Sequence, residues 1–345
     1  MLRTIWIVCI CLSLLSIIAL ACLLAVRALR QRGERREKIL SARLTRQIVT
    51  WLHEPAVDID QLRAAARRTP HLASRLLVHS VGLLEGEDRA RLVALSYELG
   101  LQARMLTDLA HGKPGLRERS AETLAFFDTE EIVAALYTAL TDPAPQVRLA
   151  AARALATLGR NIPTPALRDP AWGDSALVYD LFEKVSVTQS PELAALARDE
   201  HASPGRRIFA ARALATTGNY ALIPLFAEMS SASCPDLRAT AAEAMGLLGH
   251  PRAQETLATL LNDNEWNVRA VAAQATGRLQ LIKLYEHLAQ LLEDHYWWVS
   301  FMAAQALLAG GPQGLAVLHR IAASGATVAR DIASLALLEN KKKEE

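Results

Sequence analysis

Six stretches of the chain are variations on one phrase. Aligned on a Val-Arg step, they read PGLRERSAETLAFFD from Pro114, PQVRLAAARALATLG from Pro145, PGRRIFAARALATTG from Pro204, PDLRATAAEAMGLLG from Pro235, WNVRAVAAQATGRLQ from Trp266 and WWVSFMAAQALLAGG from Trp297. The pivotal arginine falls at Arg117, Arg148, Arg207, Arg238 and Arg269, with Ser300 next in phase, so its number advances by 31, 59, 31, 31 and 31. Self-similarity at a fixed period of this size marks a stacked array and overrides any reading of the segments one at a time. The step of 59 leaves room for one repeat that has lost its signature, with Val178-Tyr179 near the expected phase. Weaker copies reach back to Arg89 and forward to Ala329, for about nine units.

Each part of the phrase has a physical reason. Proline suits the first helical position, where its missing N–H has no intrahelical partner. Asp142, Asp263 and Asp294 lie six residues before the arginine position, at a turn, where an aspartate can cap the following helix. The alanine pairs Ala151-Ala152, Ala210-Ala211, Ala241-Ala242, Ala272-Ala273 and Ala303-Ala304 permit close helix approach. Gly159, Gly218 and Gly249 suit a left-handed helix end. Between these segments lie partner helices such as EEIVAALYTALTD and PRAQETLATLLND. Each unit is then a helical hairpin that cannot bury its apolar face alone, and stacking yields an all-α solenoid.

The repeat of about 31 residues, with its turn aspartate, Val-Arg step, double alanine and terminal Leu-Gly, resembles HEAT repeats, above all the short HEAT-like subtype also found in phycobilin lyases. The resemblance covers Gly86 to Asn340 well and Asp58 to Glu85 loosely. It is specific for fold and weak for function, since the family hosts scaffolds, adaptors, regulators and a few lyases. It implies an Asp–Arg ladder linking neighbouring repeats, carried onto Asp142/Arg148 and Asp263/Arg269, and broken where Asp294 faces Ser300.

Composition agrees with helices: half the chain is hydrophobic but only 5% is aromatic, and Ala and Leu dominate. The net charge of +2 hides an asymmetry, because residues 1–40 hold seven Lys/Arg and two Glu while the remainder holds 31 basic and 34 acidic residues. A slightly acidic body is a poor match for nucleic acid. Cys9, Cys11 and Cys22 lie in the apolar N-terminal run and Cys234 stands alone, a pattern that fits neither a disulfide framework nor a thiolate metal site.

The uncharged run from Thr4 to Val26 has 23 residues, which as a helix reach roughly 35 Å, enough to cross a bilayer core. A cleaved signal peptide would have a shorter apolar run, and the surroundings of Cys22 suit a lipoprotein site poorly. One arginine precedes the run and six Lys/Arg follow it within twelve residues, so the positive-inside rule puts the body in the cytoplasm. A periplasmic body behind an N-in anchor is the alternative. The expected organisation is a transmembrane helix at 4–26, a basic juxtamembrane stalk at 27–57, a HEAT-like array at 58–340 with a degenerate repeat at 160–200, and a charged tail at 341–345. RNIPTPALRDPAWGDS, residues 160–175, reads as a bend or a contact loop.

No pattern supports an enzyme, a cofactor or a metal. The nine histidines are scattered, and no GxSxG, P-loop or GxGxxG sits at a strand-to-helix turn. Two surfaces stand out. The column five residues after each arginine position, Glu122, Arg153, Arg212, Glu243, Gln274 and Gln305, is expected on the concave face, where mixed signs and amides suit a protein partner. A solvated polar face is the bland reading. The second surface is aromatic: Trp266 and Trp297 replace the usual proline one repeat apart, and Tyr296 and Trp298 crowd the same turn. These rings would be either interface anchors or covers packed over neighbouring turns. The expected function is a scaffold or adaptor on the bacterial inner membrane, as an accessory subunit of a complex for envelope polysaccharide synthesis, transport or signalling. A lyase-like or chromophore-handling protein is the alternative that the resemblance raises.

Overall fold

The computed structural model describes residues 38–52, 59–68, 72–73, 76, 80, 84 and 86–344. The apolar run 4–26 and the basic residues 27–37 lie outside the described residues, so the expected anchor and most of its flank rest on sequence alone. Among the described residues no helix is long and apolar enough to cross a membrane. No strand occurs among them either.

By compactness the chain divides after Ile132, inside the expected array 58–340. In the first unit the helices are α1 (38–52), α2 (Ile59–Arg68), α3 (Gly86–Glu98), α4 (Leu101–His111) and α5 (Pro114–Leu124). Leu44, Ile48, Leu92, Leu95, Met105, Leu109 and Leu124 are buried among them. Tyr97 meets Phe127 edge to face, with ring centroids 5.9 Å apart.

The second unit, from Val133 on, is a run of paired helices. The helices that carry the repeated phrase are α6 (Pro145–Thr157), α7 (Ala176–Val185), α8 (Pro204–Ala215), α9 (Pro235–Leu248), α10 (Trp266–Arg278), α11 (Trp297–Ala309) and α12 (Thr327–Glu344), and each packs on the next. Shorter partner helices alternate with them, among them Ser190–Arg198, Ile223–Met229, Gln254–Leu260 and Tyr285–Leu291. The helix α7 confirms that the step of 59 holds an extra, unsigned hairpin: it sits between α6 and α8 in the stack, with Val178 fully buried at the expected phase.

The local rules act as the sequence implies. Pro145, Pro204 and Pro235 open their helices, and all five alanine pairs are buried. Gly159, Gly218 and Gly249 are left-handed, with φ of 68°, 68° and 74°. Just past α10 the equivalent residue is Gln280, which is forced to φ 50° without glycine's freedom.

One expectation fails. Asp142, Asp263 and Asp294 do not cap the following helix: the N-cap residues are Ala144, Glu265 and Tyr296, two positions later, and their side chains make no capping bond. Each aspartate instead accepts a hydrogen bond from the backbone N–H of that N-cap residue, at 2.8–2.9 Å, which bends the chain into the helix and leaves the second carboxylate oxygen for another partner. Residues 160–175, expected as a bend or a contact loop, contain two short helical turns, Thr164–Leu167 and Pro170–Trp172. Ile162, Leu167 and Trp172 are buried, and the Gln189 side chain pins Ile162 by accepting from its N–H (2.7 Å) and donating to its carbonyl (2.8 Å).

Candidate interaction surface

The turn aspartates and the phrase arginines build a ladder along the second unit. Arg238 donates Nε and Nη2 to the two carboxylate oxygens of Asp263, at 2.7 and 2.8 Å. Arg269 does the same to Asp294, at 2.7 and 2.9 Å. In both cases the partner lies in the next repeat. The third nitrogen, Nη1, points back to the carbonyls of its own turn: Arg269 to Asp263 and Asn264 at 2.6 and 3.0 Å, Arg238 to Ala232 and Ser233 at 3.0 and 3.1 Å.

The expected pairs are thereby corrected. Arg148 donates to the backbone carbonyl of Asp142, at 2.8 Å, and pairs its charge with Asp169. Arg269 likewise bonds the carbonyl, not the carboxylate, of Asp263. The guanidinium is wide enough to hold its own turn with one edge and the neighbouring repeat with another, and within a repeat the carboxylate is already turned toward the N-cap amide. Asp294 is therefore paired, and at the arginine phase beyond it Ser300 donates its hydroxyl to the Asp294 carbonyl at 3.3 Å. The unsigned repeat improvises, with Arg168 on Asp199 at 3.1 Å. The Arg238 hydrogen bonds hold the Asp263 carboxyl below its usual range against the opposing effect of burial. Burial pushes Asp294 up, and the Arg269 hydrogen bonds and the Tyr296 amide more than reverse it.

The column five residues beyond the arginines is half-buried to exposed throughout. In the second unit its charges are paired: Arg153 with Asp180, outside the column, at 2.8 Å, and Arg212 with Glu243, one period along the column, at 3.1 Å. Glu122 belongs to the first unit and is exposed. Gln274 and Gln305 line a groove of about 510 Å³ whose apolar lining includes Phe301, Met302, Gly277 and Ala306.

The aromatic residues are both packed together and open to solvent. Trp266 stacks on Tyr296, with centroids 5.8 Å apart and planes 20° from parallel, and Arg269 sits 6.0 Å over the Tyr296 ring. Trp297 and Trp298 both lean on Phe301, at 5.1 and 5.5 Å. Exposure stays high all the same: 39% for Trp266, 51% for Tyr296, 60% for Trp297 and 44% for Trp298. Phe301 is the member that sequence reasoning missed. Its spacing of three and four residues from the tryptophans, the spacing of neighbours on one helix face, could have found it. Phe301 also lines the groove with Gln274 and Gln305, so the two surfaces read from the sequence meet at this residue.

Among the described residues no group of His, Cys, Asp or Glu is arranged to hold a metal ion. A family model for HEAT repeats matches residues 103–178, 190–277 and 224–308, together more than half of the chain. The chain belongs to the HEAT-repeat family. Among solved structures it is similar to Kap121p bound to Pho4p (16% identity, TM-score 0.50, covering 84% of this chain and 41% of that one). It is also similar to Kap121p alone (15% identity, TM-score 0.47, 88% and 41%). The CpcE–CpcF complex of phycocyanin lyase from Nostoc sp. PCC7120 matches at 22% identity, with TM-score 0.31 over 63% of this chain and 92% of that one. The chain thus spans 41% of the length of the Kap121p structures it matches, and at such identities the likeness speaks to fold alone. No curated protein matches the chain.

Proposed function

We propose that this HEAT-repeat chain is a membrane-anchored scaffold or adaptor without enzymatic activity, an accessory subunit of a bacterial inner-membrane complex for envelope polysaccharide synthesis, transport or signalling. The observation that carries the binding role is the aromatic ridge: three tryptophans and a tyrosine held rigidly on a packed array and left 39–60% exposed. Large rings that keep their apolar faces in water, while their backbones are fixed, are the usual energetic anchors of protein interfaces. The partner side of the ridge extends into the groove of Gln274 and Gln305, whose amides supply hydrogen bonds without a net charge.

The anchor reading rests on the uncharged run 4–26 and the six basic residues behind it, which orient the body toward the cytoplasm. Confinement to the membrane raises the local concentration of the array near membrane partners, so modest affinity suffices for recruitment. The test is co-purification of the tagged full-length protein from native membranes in mild detergent, beside the Trp297→Ala/Trp298→Ala variant. A stoichiometric membrane protein, captured by the wild type and lost by a folded variant, is the expected result. Equal capture by both sinks the aromatic interface, and release of the untreated protein from membranes by carbonate sinks the anchor.

A further inference from the structure

The ladder has a gap ahead of Arg207. Arg238 serves Asp263 and Arg269 serves Asp294, each across the same separation in sequence. By the same count Arg207 looks ahead to position 232, which is Ala232. The frame around that position is otherwise complete. Arg238 holds the carbonyls of Ala232 and Ser233 at 3.0 and 3.1 Å, as Arg269 holds those of Asp263 and Asn264. Only the carboxylate is missing.

Its absence leaves two sets of donors unused. In the complete turns one aspartate oxygen accepts from the backbone N–H two residues on, Glu265 or Tyr296. At the gap the corresponding N–H is that of Cys234, which has no acceptor among the described residues. In the complete turns both oxygens also take the arginine of the preceding repeat, through its Nε and Nη2. Arg207 has instead turned its Nε to the carbonyl of Ala197 at 2.9 Å, and its terminal nitrogens have no partner among the described residues. Between Arg207 and the turn lies a pocket of about 510 Å³, lined also by Arg198, Glu200, Glu228, Ser231 and Ser233. Arg198 and Glu228 cancel as an ion pair at 2.6 Å, Glu200 is exposed at the rim, and the two serines add hydroxyls. Arg207 is the cation of this pocket left without a carboxylate.

We infer that the pocket between Arg207 and the 231–233 turn takes an external carboxylate, in the place that Asp263 and Asp294 fill in the repeats that follow. Both oxygens accept from the Arg207 terminal nitrogens, the planar two-oxygen geometry for which a guanidinium is built, and one of them also accepts from the Cys234 N–H. The carboxylate is either that of a small molecule or an Asp, Glu or chain terminus of a protein partner. This site is independent of the aromatic ridge and survives if the ridge fails its own test.

The experiment is thermal unfolding of the full-length protein in a zwitterionic detergent at neutral pH, titrated with sodium acetate against sodium chloride at equal ionic strength. Wild type is expected to show a saturable rise in Tm with acetate. Ala232→Asp supplies the missing carboxylate internally, so its Tm should start roughly 2–6 °C higher and ignore acetate. Arg207→Gln should also lose the response. A capped tetraglutamate peptide acting at lower concentration than acetate, and only with Arg207 present, identifies a protein source, whereas equal potency identifies a free carboxylate. Either supports the site. No acetate response in wild type, or the same response in Ala232→Asp, overturns it.

Discussion

Adding one methyl group at Gly277 tests how tightly the array is stacked. A Cβ built there lies 2.5 Å from the Ala306 Cα, 2.7 Å from its Cβ and 3.0 Å from its carbonyl oxygen. Two of the three obstacles are backbone atoms of the adjacent helix, which cannot rotate away, so α10 and α11 must separate. Overpacking of this kind costs about 1–3 kcal/mol. Replacing glycine in a helix returns up to about 1 kcal/mol, and less so near the helix end. A net loss of about 1–2 kcal/mol follows, or roughly 2–8 °C in Tm for a cooperative unit of this size. Two comparisons set the scale. Gly246, one period earlier, meets Ala275 at 2.9 and 3.1 Å, while a Cβ at Gly115 meets nothing within 4 Å. Denaturant and thermal melts should therefore rank Gly277→Ala lowest, Gly246→Ala next, and Gly115→Ala level with or above the wild type. Amide exchange should quicken in α10 and α11 of the Gly277 variant and nowhere else. If Gly277→Ala melts with the wild type, or no lower than Gly246→Ala, close helix contact is not what places glycine here.

Two further expectations concern the ladder and the helix ends. Asp294→Asn removes the charge from a bidentate, largely buried pair and should cost about 1–3 kcal/mol in denaturant melts. Because the folded pKa values of Asp169, Asp263 and Asp294 are all lowered, their contribution is full above the unfolded aspartate value of about 3.9 and is lost as pH falls through the lower folded values. The acid limb of a stability profile should accordingly flatten in an Asp263→Asn/Asp294→Asn variant, and an unchanged limb would remove the ladder from the acid response. Gln280→Gly should stabilise the protein by about 0.5–1 kcal/mol, since it relieves a left-handed glutamine at the end of α10. A loss of stability there would mean that its exposed side-chain bond to the Ala309 carbonyl, 3.2 Å long, outweighs the strain.

The fold was legible because every cue for it is local and recurs. Proline at a helix start, alanine on the contact face and glycine past the end each act within a few residues, and repetition at a fixed period averages out the exceptions. The hairpin hidden in the step of 59 could be placed by counting alone. Its packing could not, since Trp172 and Gln189 are held by contacts that no turn rule describes. The candidate surface was legible in its residue types and only partly in its arrangement. Trp266, Tyr296, Trp297 and Trp298 could be named as neighbours, but whether such rings face solvent depends on the helices beneath them, and that depth is a property of the stack.

The ladder divides the two sources of information most sharply. Residue spacing alone establishes that Asp and Arg recur in fixed phase, that helices pair, and that position 232 departs from the pattern. It could not say which aspartate each arginine serves. A guanidinium spans the gap between repeats only when neighbouring helices lie at the separation that the alanine pairs and Gly277 allow, and packing between helices sets that distance. Once it is set, Arg238 and Arg269 reach forward into the next repeat, Arg207 meets no carboxylate there, and an alanine that looks ordinary in the sequence lines a pocket.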